Sequence, residues 1–364
     1  MTTLTPSYKL ARMSNFAREV SSQPAIWRQV AALTDKVRDS FPAQGNALCM
    51  IGCGTSLFIG QAIASCREQA TSAWTDAFPA SELPLDRTYD AALAISRSGT
   101  TTEVLEAVAA IRQRGVPVYA ITAVRSSPLT DLVAHPIVLD FADETAIVQT
   151  RFATSALLLA LAVFCDWDIE ASAKQAEHAL RVGAPRGIET AEQFVFLGRG
   201  LAAGLANEAA LKLRESAGVW SEAYPAMEFR HGPISGTGPW TLVWSLDPID
   251  PLLAEAIRAT GATLVSGGGD PIAELVRVHL AADHLAKARG LMPDTPRHLT
   301  RSVVLPPAHV SREVSSRRGR PAPASREGAR VGRATLRSLS EQRLPVAASV
   351  PDSTPDSDLQ GGEK

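Results

Sequence analysis

Residues 47–69, ALCMIGCGTSLFIGQAIASCREQ, decide the fold class of this chain. A short apolar run at 47–51 leads into a glycine-rich turn at 52–56, and a stretch of helix formers follows at 57–69. An apolar run of this length bounded by glycines is typical of a buried strand. The stretch therefore predicts a strand, a tight turn and a helix.

The same order of elements recurs along the first half of the chain. A strand is predicted at 91–95, a turn at 96–101 (SRSGTT) and a helix at 102–114, with further strands at 116–122 and 136–141. Strands that alternate with helices predict an α/β fold with a mostly parallel sheet and right-handed crossovers.

A second unit follows the linker at 183–187. It opens with a predicted strand at 194–197 and a glycine turn at 198–200, and two more strands are predicted at 240–246 and 262–266. The repeated opening predicts two similar domains, at 41–182 and 188–305, each a doubly wound, mostly parallel sheet flanked by helices. Because only three strands are predicted in the second domain, we expect its sheet to need a neighbouring domain or subunit for burial.

Both ends of the chain differ from this α/β core. The segment 1–40 predicts one or two helices, interrupted at 21–24 (SSQP), where Pro24 suits a first helical turn. From 306 to 364 the sequence is polar, without apolar periodicity, and predicts a disordered tail. The basic half of this tail leaves nucleic-acid contact open as an alternative to simple solvation.

Composition limits the classes of function. The chain has 364 residues and a net charge of -2, with 45% hydrophobic and 20% charged residues, so no basic field favours a nucleic acid or a membrane surface. The 4 cysteines form no metal-binding or CxxC spacing, and free cysteines fit a reducing compartment. The N-terminus lacks the apolar segment of a signal peptide, and the longest apolar run, 156–165, is too short to span a bilayer. We therefore expect a cytoplasmic protein.

Two of the turns are rich in hydroxyl groups at predicted helix N-termini, where unpaired N–H groups and the helix dipole attract anions. The candidate phosphate ligands are Thr55, Ser56, Ser96, Arg97, Ser98 and Thr101. The alternative is that the hydroxyls only cap their helices. Neither turn has the spacing of a dinucleotide site or a P-loop, which argues against NAD and ATP.

The stretch 207–233, NEAALKLRESAGVWSEAYPAMEFRHGP, carries acid–base groups. Glu208, Lys212 and Glu215 are spaced i, i+4, i+7, so they fall within about 60° of one another on a helix. His231 precedes Gly-Pro, which predicts a loop. A carboxylate base, a cation beside an enediolate and a ring-opening histidine suit proton transfer on a small phosphorylated molecule, without a metal or cofactor. The alternative is an exposed helix with a Glu–Lys pair and a surface histidine.

These residues resemble the sugar isomerase (SIS) domain family, over about 15–305. The motifs, in order, are GCGTS (52–56), ISRSGTTTEV (95–104), VQTRFATS (148–155), FLGRG (196–200), NEAALKLRE (207–215), SEAYPAMEFRHGP (221–233) and DTPRHLTRSV (294–303). More closely, they are similar to the tandem-SIS isomerase half of the glutamine–fructose-6-phosphate aminotransferases and to amino-sugar phosphate deaminases. The resemblance implies two SIS domains and a homo-oligomer, usually a dimer, that shares sites between subunits.

The resemblance also implies roles for the candidate residues. Glu215 corresponds to the base that moves a proton between C1 and C2, with Glu208 and Lys212 as its polar partners. His231 corresponds to a ring-opening histidine that reaches the neighbouring subunit's site. The serine and threonine residues of the two turns correspond to phosphate ligands, and Arg97 stands where the aminotransferases usually have glutamine.

Two departures from the aminotransferases bear on the reaction. We expect no glutaminase domain, because the chain begins a few tens of residues before the first SIS motif and lacks an N-terminal nucleophilic cysteine. At the position of the family's sugar-binding Schiff-base lysine stands Arg301, which stays protonated and does not readily form an imine. Both departures favour ammonia-linked deamination or plain aldose–ketose isomerisation over glutamine-dependent synthesis.

Two classes of function are thus compared. The first is a metal-independent sugar-phosphate isomerase or deaminase, with an amino-sugar phosphate as the expected substrate. The second is a non-catalytic SIS module that binds a sugar phosphate as a sensor. A sensor needs the phosphate turns but not Glu208, Lys212, Glu215 and His231, so the sequence favours the enzyme.

Overall fold

A computed structural model describes residues 13–306, which contain two parallel sheets flanked by helices. The predicted α/β class is therefore confirmed. Most of the predicted tail, from residue 307 on, and the first twelve residues lie outside the described range.

The first sheet has five strands in the order β2-β1-β3-β4-β5, all parallel. They are β1 (Leu48–Gly52), β2 (Thr75–Pro79), β3 (Ala91–Ile95), β4 (Val118–Thr122) and β5 (His135–Val138). Every residue of β1 and β3 is buried, as expected for central strands of a parallel sheet covered on both faces.

The second sheet has four parallel strands in the order β7-β6-β8-β9. They are β6 (Gln193–Gly198), β7 (Trp220–Pro225), β8 (Thr241–Ser245) and β9 (Thr263–Ser266). The prediction of three strands is therefore wrong by one, and β2 was missed in the first sheet. Both missed strands lie at an edge, end in proline and are mostly half-buried, so neither has a continuous apolar run.

The helices are α1 (Asn15–Val37), α2 (Thr55–Thr71), α3 (Thr102–Gln113), α4 (Pro128–Leu132), α5 (Arg151–Cys165), α6 (Ile169–Val182), α7 (Leu201–Ala217), α8 (Pro251–Ala259) and α9 (Pro271–Ala288). The largest apolar cluster joins α1, α2, α5, α6, α7 and α9 to one face of each sheet. Two smaller clusters cover the opposite faces, mainly with α3 and α8. Within residues 13–306, no helix has the length and apolar character needed to cross a membrane.

Helix α1 runs through Pro24, so the interruption predicted at 21–24 is wrong. Proline has no N–H to give to the carbonyl one turn earlier. Here the Gln23 side chain replaces that donor, because its Nε2 lies 3.2 Å from the Val20 oxygen. Ser21 likewise donates to the Ala17 carbonyl at 2.8 Å. The Gln23 bond therefore satisfies the carbonyl that the proline leaves without a donor, and the Ser21 bond adds a contact in the preceding turn.

Helices α2 and α7 occupy equivalent places in the two halves of the chain, because matching residues of the two helices are 146 positions apart. Asn207 donates to Gln61 at 3.1 Å, and the two residues are 146 positions apart. Gly54 and Gly200, at the same spacing, precede the two helices with matching backbone angles, φ 54° and ψ -123° against φ 54° and ψ -122°. This internal likeness agrees with the predicted repeat. The division into two domains at 41–182 and 188–305 stays a prediction.

Candidate active site

The two hydroxyl-rich turns lie side by side at the carboxyl ends of neighbouring strands. The first follows β1 and the second follows β3, and these strands pair in parallel. A Cβ on Gly99 (φ 66°) would lie 2.2 Å from the Ser127 hydroxyl, so the second turn needs glycine there. The sheet thus brings the predicted phosphate ligands together at the carboxyl ends of its strands, which is where open α/β sheets bind ligands.

A cavity of about 40 Å³ lies between these turns. Its lining includes the predicted residues Ser56, Ser96, Arg97, Ser98, Thr101 and Arg301, together with Cys53 and Gln149, which the sequence analysis missed. The hydroxyl oxygens of Ser96 and Ser98 each accept a bond from a backbone N–H of the turn, both at 3.2 Å. Since these bonds use the oxygen only as acceptor, each hydroxyl proton remains available for an anion.

The guanidinium of Arg97 mainly contacts protein groups, and its predicted role as a phosphate ligand stays a prediction. The side chain is buried, and its terminal nitrogens donate to the carbonyls of Ala146 at 3.0 Å and Arg301 at 3.1 Å. It also lies 3.9 Å from the Glu144 carboxylate. Arg97 therefore holds two neighbouring segments against the turn, and it contributes positive charge to the cavity wall.

The segment 294–305 closes this side of the site. The Asp294 carboxylate accepts bonds from the first N–H groups of α1, those of Asn15 at 2.9 Å and Phe16 at 2.7 Å. Further along, Thr100 donates to the Ser302 hydroxyl at 2.9 Å. Arg301 pairs with Asp143 at 2.5 Å and also donates to the Glu144 carbonyl. The segment is thus fixed at both ends.

Glu208, Lys212 and Glu215 come together on α7, as their spacing predicted. The Lys212 ammonium lies 2.5 Å from a Glu215 oxygen and 3.4 Å from a Glu208 oxygen. It also donates to the Thr55 hydroxyl at 2.9 Å. Glu208 and Lys212 are fully buried, whereas the Glu215 side chain is 19% exposed. The alternative of an exposed Glu–Lys pair is therefore wrong.

Thr55 contacts the acid–base cluster, and its predicted role as a phosphate ligand stays a prediction. The Thr55 hydroxyl accepts a bond from Lys212, and Thr55 does not line the 40 Å³ cavity, whereas the next residue, Ser56, does. One turn of α2 therefore carries both an acid–base contact and a cavity contact. The residue that contacts the acid–base cluster, Thr55, and the residue that lines the cavity, Ser56, are therefore adjacent on the chain.

Burial changes the acid–base properties of this cluster. Burial raises the pKa of Glu208 to about 7, although the nearby Lys212 works in the opposite direction. Burial also works to lower the pKa of Lys212, but the charges of Glu208 and Glu215 outweigh it, and the pKa is raised. Lys212 therefore keeps its positive charge at neutral pH beside two carboxyl groups.

A larger cavity, of about 580 Å³, opens beside Glu215. It is bounded by residues at the end of α7 and just after it (Leu211, Arg214, Glu215, Ser216, Gly218) and by residues 290–292 and 295–299, among them Arg297 and His298. Leu211 also lies near the first hydroxyl-rich turn, since a Cβ added to Gly54 would be 3.8 Å from its side chain. Glu215 is the member of the acid–base cluster that faces this space.

The structure does not bring His231 to this cluster within one chain. His231 ends a 3-10 helix (Ala226–His231) rather than lying on a plain loop, and it is exposed. It lines neither of the two cavities. Its predicted reach into the neighbouring subunit's site stays a prediction.

Two other histidines were missed by the sequence analysis. His298 lines the larger cavity, inside the motif DTPRHLTRSV, but that motif was interpreted only through Arg301. His279 is fully buried on α9, with its Nδ1 3.2 Å from the Gln23 amide nitrogen. Burial, and secondarily the charge of Lys212, lowers the pKa of His279 to about 3, so its ring is neutral at physiological pH.

Comparison with known proteins confirms the resemblance to the SIS family. Residues 43–164 match the SIS domain. Glutamine–fructose-6-phosphate aminotransferase of Thermus thermophilus is 28% identical over 320 residues, which cover 72% of this chain and 53% of the relative. The enzyme of the same name from Aeropyrum pernix is 30% identical over 265 residues, covering 58% of this chain and 43% of the relative. The chain thus spans about half the length of these curated relatives.

Solved structures share the fold. Glucosamine-6-phosphate deaminase of Thermotoga maritima superposes with a TM-score of 0.71 at 26% identity, covering 80% of this chain and all (100%) of that protein. Tagatose-6-phosphate ketose/aldose isomerase of Escherichia coli gives a TM-score of 0.67 at 21% identity over 81% of this chain and 97% of that one. The second likeness concerns the fold alone.

Proposed function

We propose that this chain is a sugar-phosphate isomerase or deaminase that acts on an amino-sugar phosphate by enediolate proton transfer, without a metal. One observation carries the proposal. Lys212 lies 2.5 Å from Glu215 and donates to Thr55 at 2.9 Å, and Thr55 directly precedes Ser56, which lines the 40 Å³ cavity. A phosphate held in that cavity would place the attached sugar beside a carboxylate and a cation.

The phosphate would be held by hydroxyl groups at the N-terminal ends of two helices. Ser56 lies in the first turn of α2, while Ser96, Ser98 and Thr101 precede α3. Helix dipoles and backbone N–H groups favour an anion at such positions. The positive charges of Arg97 and Arg301 add to this preference.

Glu215 would act as the general base. Aldose–ketose isomerisation removes a proton from the carbon beside a carbonyl and returns it to the neighbouring carbon. Glu215 faces the larger cavity, whereas Glu208 is fully buried, so Glu215 is the carboxylate with access to a substrate. Lys212 would stabilise negative charge on the enediolate oxygen, and Glu208 would hold Lys212 in place.

Arg301 favours this reaction over amide transfer from glutamine. Its guanidinium lies 2.5 Å from the Asp143 carboxylate, which fixes a group that does not form an imine with a sugar carbonyl. Deamination and isomerisation through Glu215 need no imine on residue 301. The likeness to a glucosamine-6-phosphate deaminase supports the same class of reaction.

The proposal is tested by supplying substrates directly. The protein is incubated with glucosamine 6-phosphate, galactosamine 6-phosphate or fructose 6-phosphate in deuterated water, with and without EDTA. Ammonia, the isomeric sugar and deuterium at C1 or C2 are then measured. We expect exchange with at least one sugar, unaffected by EDTA, and ammonia only if the enzyme is a deaminase. Tight binding of all three sugars without exchange would instead favour the non-catalytic sensor.

A homo-oligomer that binds a sugar phosphate is also proposed. The expectation that the second sheet needs a neighbour for burial is wrong. That sheet has four strands, and apolar clusters cover both of its faces. The proposal now rests on the resemblance and on the exposed position of His231. That position suits a side chain that acts in a neighbouring subunit.

A further inference from the structure

Two of the 4 cysteines are neighbours near the ends of two packed helices. Cys66 lies in the C-terminal part of α2 (Thr55–Thr71), and Cys165 is the last residue of α5 (Arg151–Cys165). Both are half-buried free thiols packed against the largest apolar cluster, and their side chains share a hydrogen bond. Two thiols in contact on different helices are the arrangement from which a disulfide forms without a change of fold.

The residues next to the two cysteines hold these helix ends together. Arg67 follows Cys66, and its guanidinium lies over the ring of Phe164, the residue before Cys165, at 5.0 Å from the ring centroid. Both Arg67 and Phe164 are buried. Arg67 is fixed in turn, because it donates to the Thr75 hydroxyl at 2.6 Å. The packing of Arg67 on Phe164 therefore keeps the two cysteines side by side, apart from any bond between the thiols themselves.

The two thiols differ in acidity in a way that suits a nucleophile and its partner. The hydrogen bond from Cys165 lowers the pKa of Cys66, although burial works in the opposite direction. The hydrogen bond to Cys66 and burial raise the pKa of Cys165, and the positive charge of Arg67 offsets this only in part. The thiolate, not the thiol, is the form that attacks an oxidant. Cys66 is therefore the member of the pair that reacts first.

The other two cysteines lack this activation. Cys49 is fully buried in β1, and burial raises its pKa to about 12. Burial also raises the pKa of Cys53, which lines the cavity of about 40 Å³. Thiols with raised pKa values stay protonated at neutral pH and react slowly with oxidants. Cys49 and Cys53 therefore serve as internal references for the pair.

We propose that Cys66 and Cys165 form a reversible disulfide when the protein meets hydrogen peroxide. This inference is independent of the proposed function. The Cys66 thiolate attacks one oxygen of the peroxide and the O–O bond breaks, which gives a sulfenic acid on Cys66 and a hydroxide ion that is protonated to water. The Cys165 sulfur then attacks the Cys66 sulfur, the S–O bond breaks, and the hydroxide leaves with the Cys165 proton as a second water. The two thiols thus lose two electrons, the peroxide is reduced, and a small dithiol reverses the disulfide by exchange.

The disulfide would join two helices of one core across a long stretch of chain. It would link the C-terminal part of α2 to the end of α5, and both helices belong to the largest apolar cluster. The loop it closes has about 100 residues, a length at which a cross-link strongly restricts the unfolded chain. We therefore expect the oxidised protein to have a thermal unfolding midpoint about 4–8 °C above that of the reduced protein.

The test identifies which sulfurs react. The full-length protein is treated with hydrogen peroxide, unfolded in denaturant with an alkylating agent, and digested without reductant for mass spectrometry. Cys66→Ser, Cys165→Ser and the matched control Cys53→Ser, which replaces another half-buried cysteine, are treated in the same way. Parallel samples contain dimedone, which traps sulfenic acids. Thermal unfolding of the oxidised wild type, before and after reduction with dithiothreitol, gives the shift in midpoint.

We expect the oxidised wild type to be alkylated only at Cys49 and Cys53 and to yield two peptides linked through Cys66 and Cys165, which dithiothreitol separates. The control should form the same link. In Cys165→Ser the reaction should stop at the sulfenic acid on Cys66, and Cys66→Ser should form neither product. Alkylation of all four thiols in the treated wild type, a link through Cys49 or Cys53, or a link between two chains would overturn the proposal. So would a lower midpoint after oxidation, because the native packing would then not place the two thiols for bonding.

Discussion

Replacing Lys212 by methionine removes the cation that lies between two carboxyl groups. Lys212 is fully buried, 3.4 Å from Glu208, 2.5 Å from Glu215 and 2.9 Å from the Thr55 hydroxyl. Removing one partner of a buried pair leaves an uncompensated charge, which costs about 3–5 kcal/mol of unfolding free energy. Since Glu208 is also fully buried, we expect Lys212→Met to reach this range at alkaline pH.

The loss should depend on pH, because Glu208 can become neutral by taking up a proton. In the wild type the pKa of Glu208 is raised from 4.5 to about 7, so the folded state binds more protons between these values and stability falls as the pH rises through them. Above pH 7, Glu208 is ionised in both states, so it no longer makes the unfolding free energy of the wild type depend on pH. Without Lys212 the pKa of Glu208 rises further, and the loss continues above pH 7 at up to about 1.4 kcal/mol per pH unit. We therefore expect Lys212→Met to cost about 2 kcal/mol more at pH 8.5 than at pH 5.5.

Urea unfolding followed by tryptophan fluorescence at pH 5.5, 7 and 8.5 measures these free energies. The double variant Glu208→Gln/Lys212→Met should recover most of the alkaline loss, because no buried charge remains unpaired at Glu208. Lys174→Met is the matched control, since Lys174 is 70% exposed and its partner Glu170 lies 4.0 Å away, a pair worth at most about 0.5 kcal/mol. A loss below about 1 kcal/mol at pH 8.5, or no recovery in the double variant, would refute the reasoning.

Three further predictions concern binding, assembly and pH. Ser98→Ala should raise the KM for a sugar phosphate, and calorimetry that gave equal affinities for the variant and the wild type would remove Ser98 from the phosphate site. Light scattering should show a dimer or larger oligomer, and a fully active monomer at assay concentration would contradict this. His279 has a pKa lowered to about 3 from 6.5, so the unfolded chain binds more protons between these values and stability is lost as the pH falls below 6.5. His279→Gln should therefore flatten the loss of unfolding free energy between pH 6.5 and 4.5, and an unchanged slope in urea unfolding would show that His279 is not the cause.

Much of the fold was predictable because its central strands are short apolar runs followed by glycine turns. That signal depends on burial of both faces, as in β1 and β3. The edge strands β2 and β7 lack it, since each includes an acidic residue and ends in proline. Likewise, the sequence shows that Pro24 cannot donate to the preceding turn, but not that the Gln23 side chain does so instead.

The acid–base cluster was predictable because its three members lie on one helix, where spacing fixes their relative positions. Contacts between elements were not. The bond from Lys212 to Thr55 joins residues 157 positions apart, and the bond from Arg97 to the Arg301 carbonyl joins residues 204 apart. No local pattern encodes either contact. For the same reason no local pattern indicates that His298 lines the cavity beside Glu215, because that depends on how the segment 294–305 is held against distant elements.

The role of Glu215 is the central claim, and deuterium exchange tests it most directly. Glu215→Gln keeps the size of the side chain and one oxygen that can accept from Lys212, but it removes the base, so the fold should remain intact while kcat falls at least about 10²-fold. The wild type should incorporate solvent deuterium at C1 or C2 of its sugar phosphate, and Glu215→Gln should not. If Glu215→Gln retained exchange while Glu208→Gln lost it, the base would be Glu208, and the roles assigned to the two carboxylates would be reversed.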